Sequence, residues 1–524
     1  MTAAADLPIP TGSPQRGRHG AVARNSVLSM AALIVLGGTR VLYGSMISRA
    51  TDPETYGLVG VLTAVTMILS LVLPAGVAAA ISRFVPHARG RREIEGASGL
   101  YRALSRIGLA GAAALGLAAA AGAAYFELGA SQVLQVGILT AVYCLYLTHR
   151  AGLYGFDRVS RYAGLEVLGS AAIVMTTIVI LAVGSTWYLT PLIAGYGAFV
   201  VGAHLSLRGY TRPATTPMTR SQVREIALYV ALACIGTLAS AGFLYGTQLL
   251  AAQYARLTEV AYFTATITLI SPLWLLPRAL GLALFPFMAE AHGAGELDIV
   301  RRHADLATRT LLGLLGPVFV AGILLARELL VLYGGPQFAD GAPVMQIILA
   351  AAYLGIIQVP SVNALSSASG QQLRTPVGWA VTGAASGLVL LALIGGPLGA
   401  TGIAIAYLVG TAITAAGPIA VVWRRYGMPW TGPIGRAVVT VGLAFAAARL
   451  IDSSLAAGDR SLLTDGTVAL IGVGMAVLLL FGDIRGALSL ARRGGDRARD
   501  EGSEIMLTAN PIVPFVEPTA RKRL

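Results

Sequence analysis

The stretch Tyr262 to Glu290 reads YFTATITLISPLWLLPRALGLALFPFMAE. It is long and apolar enough to cross a bilayer as a helix. It nevertheless carries Pro272, Pro277 and Pro286, with Arg278 near its middle. A proline inside a span leaves the carbonyl one turn earlier without a partner. Such breaks persist at membrane depth only where protein or a water-filled cavity satisfies the freed groups. An arginine at the centre of a span costs about 2.5–3.5 kcal/mol on insertion scales. A broken helix with a mid-membrane cation therefore reads as the wall of a polar cavity. The alternative is a structural arginine neutralised by loose carbonyls or a buried carboxylate.

The rest of the chain has the composition that such a segment needs around it. Of 524 residues, 56% are hydrophobic and only 12% charged. A soluble protein would carry about a quarter charged residues. The expected class is an all-α polytopic membrane protein. All basic residues but Lys522 are arginine, which excludes a Walker A loop and with it an ATPase. Cys144 and Cys234 fall inside apolar spans and read as small core residues. The six histidines form no helical pair with metal-ligand spacing, and no Asp-x-Asp occurs. No cofactor, metal, enzymatic activity or nucleic-acid partner is implied.

Apolar run lengths give fourteen spans, at 23–48, 58–81, 107–125, 132–150, 163–183, 188–207, 224–248, 262–288, 306–326, 343–363, 376–394, 398–420, 437–451 and 462–481. Residues 1–22 form a polar tail without a signal-peptide pattern. The domains expected are an N-lobe over 23–207, a cytoplasmic linker over 208–223, a C-lobe over 224–420, two further spans within 437–481, and a disordered cytoplasmic tail over 482–524. With the N-terminus inside, the cytoplasmic connections hold 31 of the 38 Lys and Arg. The external ones hold five, namely Arg49, Arg256, Arg327, Arg449 and Arg460. That bias places both termini in the cytoplasm of a cell-membrane protein. Arg40 and Arg278 lie within spans. The external loops are too short for an extracytoplasmic catalytic domain.

A weak repeat links spans two and eight. The first is introduced by Thr51-Asp52-Pro53-Glu54-Thr55-Tyr56-Gly57, the second by Leu257-Thr258-Glu259-Val260-Ala261-Tyr262-Phe263. Both contain proline and run on into basic loops. Six spans separate them, so the halves share one orientation and would be related by an axis along the membrane normal.

Arg24-Asn25-Ser26, the in-span Arg40 and the Asp-Pro-Glu-Thr-Tyr-Gly element resemble the polysaccharide and oligosaccharide flippases of the multidrug/oligosaccharidyl-lipid/polysaccharide exporter superfamily. The 276–293 segment is similar to the matching part of lipid II flippases. The resemblance covers about 30–480. It implies two six-helix lobes around a central cavity plus two C-terminal helices. The implied substrate is a glycan on an isoprenoid diphosphate lipid, and cell-envelope polysaccharide-synthesis proteins are the implied partners. Two features depart from the family. Lipid II flippases place several arginines in the first lobe, and the interior of span two has none. The cation-coupled exporters use a membrane-embedded acid, whereas all 25 Asp and Glu fall in loops, tails or span ends, with Glu166 only just inside span five.

If the lobes face each other, Arg40 and Arg278 each bring one cation to a shared cavity. Arginine's planar fork suits phosphate oxygens. Tyr43 lies one turn from Arg40 and Trp274 one turn from Arg278, placing an aromatic ring on each face. Gln248, Gln358 and Asn363 are the uncharged polar candidates. The expected function is flipping of a lipid-linked oligosaccharide by alternating access. Arg83 and Arg89 are expected either to gather the head group or to serve topology alone. A small-molecule exporter and a non-transporting scaffold, using the charged stretch Arg492 to Glu504, remain the alternatives.

Overall fold

The computed structural model describes residues 15–91, 93–210, 219–274, 288, 291–292, 295–367, 374–454, 466–483 and 485–486. The described chain is helical throughout, without a strand. Arg278, the tail at 1–14, most of the linker and the residues beyond 486 lie outside it.

The part expected as the N-lobe comprises α1 (Gln15–Ala50), α2 (Pro53–Val72), α3 (Pro74–Gly90), α4 (Ile94–Tyr125), α5 (Ala130–Gly155), α6 (Val159–Val183) and α7 (Thr190–Leu207). The second span is thus two helices. Its break falls at Leu73, because Pro74 has no N–H to continue the ladder and opens the next helix instead. The C-lobe begins with α8 (Arg220–Thr237), which passes through a π turn (Leu238–Gly242) into α9 (Phe243–Tyr254). It continues with α10 (Leu257–Ile270), the 3₁₀ turn Ser271–Trp274, α11 (Leu297–Leu324), α12 (Ala326–Gly334), α13 (Ala342–Ile357), α14 (Val359–Ser366) and α15 (Arg374–Tyr426). Two last spans follow, α16 (Thr431–Ser454) and α17 (Gly466–Asp483).

Among the described residues, twelve helices are long and apolar enough to cross a membrane. One of them, α15, has 53 residues, about 80 Å at 1.5 Å per residue, which is more than twice the ~30 Å apolar layer. Gly399, at φ 55° and ψ −142°, turns it back into two spans. Only glycine adopts that backbone readily. The shorter apolar segment Leu257–Leu273 brings the described spans to fourteen, the number expected from run length.

Within the first seven helices, small residues let backbones approach. Gly116 and Gly137 pack α4 on α5, and Gly169 and Gly195 pack α6 on α7. The last two spans are tied to the C-lobe by charge. Arg436 at the start of α16 holds fully buried Asp483 at the end of α17 through two parallel bonds of 3.0 and 2.8 Å. Arg309 of α11 reaches Asp483 at 3.3 Å and Asp305 at 3.0 Å. Trp430 donates to Asp305 at 2.8 Å.

Candidate functional site

The site begins with the motif at the start of α2. Asp52, with φ −72° and ψ 158°, accepts from the Thr55 N–H at 2.9 Å and the Thr55 hydroxyl at 2.8 Å. Those bonds hold its carboxyl below the usual carboxylate range. Pro53 occupies the first helical position, where its missing N–H costs nothing. The cap aims Tyr56 across the lobes, and its hydroxyl meets that of Tyr333 at 2.6 Å. One residue on, Gly57 brings α2 against the Leu257 carbonyl at the start of α10, so close that a Cβ would collide with it. Gly60 lies against Thr264 in the same way.

Further bonds close this end. Ser45 donates to the Tyr333 carbonyl at 2.7 Å, and Arg49 donates to it at 3.2 Å and also to the Leu332 carbonyl. These are unsatisfied carbonyls of the last turn of α12, so arginine caps them well. Gln248 of α9 donates to the Gly60 carbonyl at 3.2 Å and to Thr264 at 2.8 Å. The arginine distribution assigns this face to the cell exterior, and it is called outer on that expectation.

Behind the seal the lobes enclose two chambers. A small one of about 100 Å³ is lined by Tyr43, Tyr56, Gly60, Thr63 and Gln248. A larger one of about 500 Å³ extends inward, between Leu33, Leu36, Tyr146 and Arg150 of the N-lobe and Phe243, Gln358, Tyr407 and Thr411 of the C-lobe. Arg40, Tyr245 and Ser271 line both and form the neck between them.

At the neck, Arg40 donates to the Tyr196 hydroxyl from Nε at 3.1 Å and from Nη2 at 2.7 Å, and to Tyr143 at 3.4 Å. Its partners are neutral phenols. Among the described residues no carboxylate lies within ion-pair distance of it. Tyr143, Tyr146 and Tyr196 pack ring against ring, with centroids 4.9–5.6 Å apart. Beyond them Arg150 sits over Tyr162 at 5.4 Å and Tyr146 at 5.9 Å. Behind Tyr146 lies Glu166, 3% exposed, accepting from the Tyr146 hydroxyl at 3.0 Å.

The sequence-derived candidates fall into four groups. Arg40 and Gln358 line the large chamber, and Tyr43 and Gln248 line the small one. The hydroxyl of Tyr43 is committed to the Tyr188 carbonyl at 2.7 Å, and Gln248 is spent on the seal. Asn363 is on α14 and lines neither chamber. Arg278 lies outside the described residues, as does the side chain of Trp274, which ends the 3₁₀ turn. Arg83 rests on the Tyr229 ring at 4.6 Å, and Arg89 donates to the Gly155 carbonyl at 2.9 Å, so both have partners within the protein.

Two residues correct the sequence reading. Arg150, the last residue of the span expected over 132–150, is a wall residue of the large chamber that the sequence did not single out. Glu166 is a buried acid and not a span-end one, because α6 starts at Val159 and places it two turns inside. A signal for the first was present: Tyr143, Tyr146, Arg150 and Tyr154 recur at helical spacing on one face of α5.

The helices meet around a charged, tyrosine-walled cavity, and this polytopic fold is similar to that of several solved membrane proteins. An inward-closed structure of the lipid II flippase MurJ matches with a TM-score of 0.63 at 11% identity, covering 87% of this chain and 99% of that one. An inward-facing multidrug resistance MATE family transporter matches at 0.58 and 14% identity, covering 77% and 98%. A transporter of the multidrug/oligosaccharidyl-lipid/polysaccharide exporter superfamily from Pyrococcus furiosus matches at 0.55 and 16% identity, covering 78% and 95%. No protein-family model and no curated protein matches the sequence.

Proposed function

We propose that this chain flips an isoprenoid-diphosphate-linked oligosaccharide from the inner to the outer leaflet of the cell membrane, by alternating access of its lobes, in the making of a cell-surface polysaccharide. The observation that carries the proposal is Arg40. A guanidinium has five N–H donors and a permanent charge. Here its partners are phenol oxygens, so its charge lacks an anion at the point where the two chambers join. This half-buried cation faces the chambers with no protein counter-charge among the described residues, so an anionic ligand there would meet an unpaired guanidinium. Arg150 adds a second cation to the same wall, with Glu166 behind it. A diphosphate cannot cross hydrocarbon alone, and it has acceptor oxygens that match an arginine fork. Glycan-synthesis proteins of the envelope are the partners proposed, and both termini are placed in the cytoplasm.

Arg40→Ala is expected to abolish flipping per molecule of inserted protein while membrane insertion is kept, since removing an in-span charge favours insertion. Arg40→Lys keeps the charge without the fork and is expected to retain partial activity. The same pair is proposed for Arg278, on its mid-span position in the sequence. Normal flipping by well-expressed Arg40→Met and Arg278→Met would sink the reading. Lipid extracts of a deletion strain separate it from its rivals: lipid-linked glycan accumulates if this is the flippase, and does not if the cargo is a small solute.

A further inference from the structure

The two walls of the large chamber differ in charge. The N-lobe wall presents the N–H groups of Arg40 and Arg150. The C-lobe wall, among the described residues, carries no charge; its polar groups are Ser240, Tyr245, Ser271, Gln358, Tyr407, Thr411 and Thr414. Three of those hydroxyls have committed their proton to their own helix. Ser240 donates to the Gly236 carbonyl at 2.9 Å, Ser271 to Thr268 at 2.8 Å and Thr414 to Gly410 at 3.0 Å. Each hydroxyl oxygen is left as an acceptor. Gln358 adds a neutral amide to the wall, its Oε1 buried and without a hydrogen-bond partner. Beside these groups Phe243 and Tyr407 stack, with ring centroids 5.2 Å apart.

A diphosphate gains little from this wall, which among the described residues carries no cation and whose three committed hydroxyls offer it only acceptors. A sugar ring carries hydroxyl and amide protons, and an apolar face that suits an aromatic pair. We infer that the C-lobe wall around Gln358, Thr411 and Thr414 is a sugar subsite, so that the head group lies across the chamber with its diphosphate on the N-lobe and its first sugar on the C-lobe. This rests on the proposed function. It adds that recognition of the glycan is separable from recognition of the diphosphate and belongs to the opposite lobe. A chamber of about 500 Å³ is large enough for both.

The test uses the full chain in nanodiscs and two probes, undecaprenyl diphosphate and the same lipid bearing one N-acetylglucosamine. The wild type is expected to bind the sugar-bearing lipid about tenfold more tightly, the equivalent of one or two hydrogen bonds to the sugar. Gln358→Met, and separately Thr411→Val with Thr414→Val, are expected to remove most of that preference and leave the affinity for the bare lipid unchanged. The retained affinity certifies that the variants are folded. Arg40→Ala is expected to weaken both lipids equally. Equal binding of the two lipids by the wild type overturns the sugar subsite, and so does a parallel loss of both in the C-lobe variants. An Arg40→Ala that binds both as the wild type does would instead overturn the diphosphate reading.

Discussion

The seam between the lobes is built differently at its two ends. At the outer end α2 meets α10 through Gly57 and Gly60, and hydrogen bonds cross the seam from Arg49, Ser45, Tyr56 and Gln248. Inward of the neck the seam is α3 against α8. There Gly76 brings α3 against the Val230 carbonyl of α8, and the side-chain contacts are the Arg83 guanidinium on Tyr229, an edge-on Phe84–Tyr229 pair at 5.5 Å, and a long Cys234 thiol bond to the Leu73 carbonyl at 4.0 Å. Both ends use a glycine contact, but only the outer end adds a set of directional side-chain hydrogen bonds, whereas the ring and cation contacts of the inner end tolerate sliding. The outer end is therefore the more tightly specified one, the latch of this conformation. The chamber volumes agree, at about 100 Å³ behind the latch and 500 Å³ inward of Arg40.

The largest effect is expected from breaking the glycine contact. Gly57→Ala puts a methyl group against a backbone carbonyl that cannot turn aside. Gly60→Ala meets the Thr264 side chain, which can rotate at the loss of its bond to Gln248. Both should part the outer ends, with Gly57→Ala the stronger. Gly164→Ala, where no neighbouring atom lies within 4 Å, is the neutral control. The measurement is labelling of Thr63→Cys in the small chamber by a membrane-impermeant maleimide added outside. Gln337→Cys, on the exposed turn after α12, should label in every background; its protection in intact cells would reverse the orientation. Labelling of Thr63→Cys that is as slow in Gly57→Ala as in the parent removes the latch.

A smaller effect is expected from the hydrogen bonds. Arg49→Ala frees the α12 carbonyls, and Tyr333→Phe removes the Tyr56 bond but keeps the carbonyl acceptor. Each bond is worth about 1 kcal/mol, roughly a fivefold change in the closed-to-open ratio. Arg49→Ala should exceed Tyr333→Phe, because it forfeits bonds to two carbonyls at a helix C-terminus. The reverse order in the same labelling assay would mean that the phenol pair, and not the arginine, holds the latch.

What could be read in the sequence followed from how many residues shared one signal. Fourteen spans were legible because each rests on about twenty apolar residues. Arg40 was legible because it interrupts such a run. Arg150 and Glu166 were not, since polar residues at the edge of an apolar run look like boundary residues whether they face water or a cavity. Only the packing of Tyr146, Tyr162 and Tyr196, from three different helices, buries Glu166 and sets Arg150 on the chamber wall. Tyr333 was hidden for a similar reason. Residues 327–342 read as an external loop, yet α12 and the 3₁₀ turn Pro336–Gly341 fold them back onto α1 and α2.

The smallest effect concerns the Asp-Pro-Glu-Thr-Tyr-Gly element, the most family-like stretch of the chain. Asp52 touches neither chamber; it caps α2 and so fixes where Tyr56 and Gly57 stand. Asp52→Ala should cost about 1 kcal/mol, as the loss of an N-cap does, and Asp52→Asn much less, because asparagine caps nearly as well. The carboxyl is held below its ordinary range in the folded chain. Its contribution is therefore fully present above the unfolded value of ~3.9 and is lost as pH falls through the lower folded value. A motif that served the latch by orientation alone would give Asp52→Ala faster outside labelling of Thr63→Cys, with Asp52→Asn close to the parent. If asparagine failed as badly as alanine at neutral pH, the charge itself would be required, and the element would have to be read as an outer binding site for a cation and not as a cap.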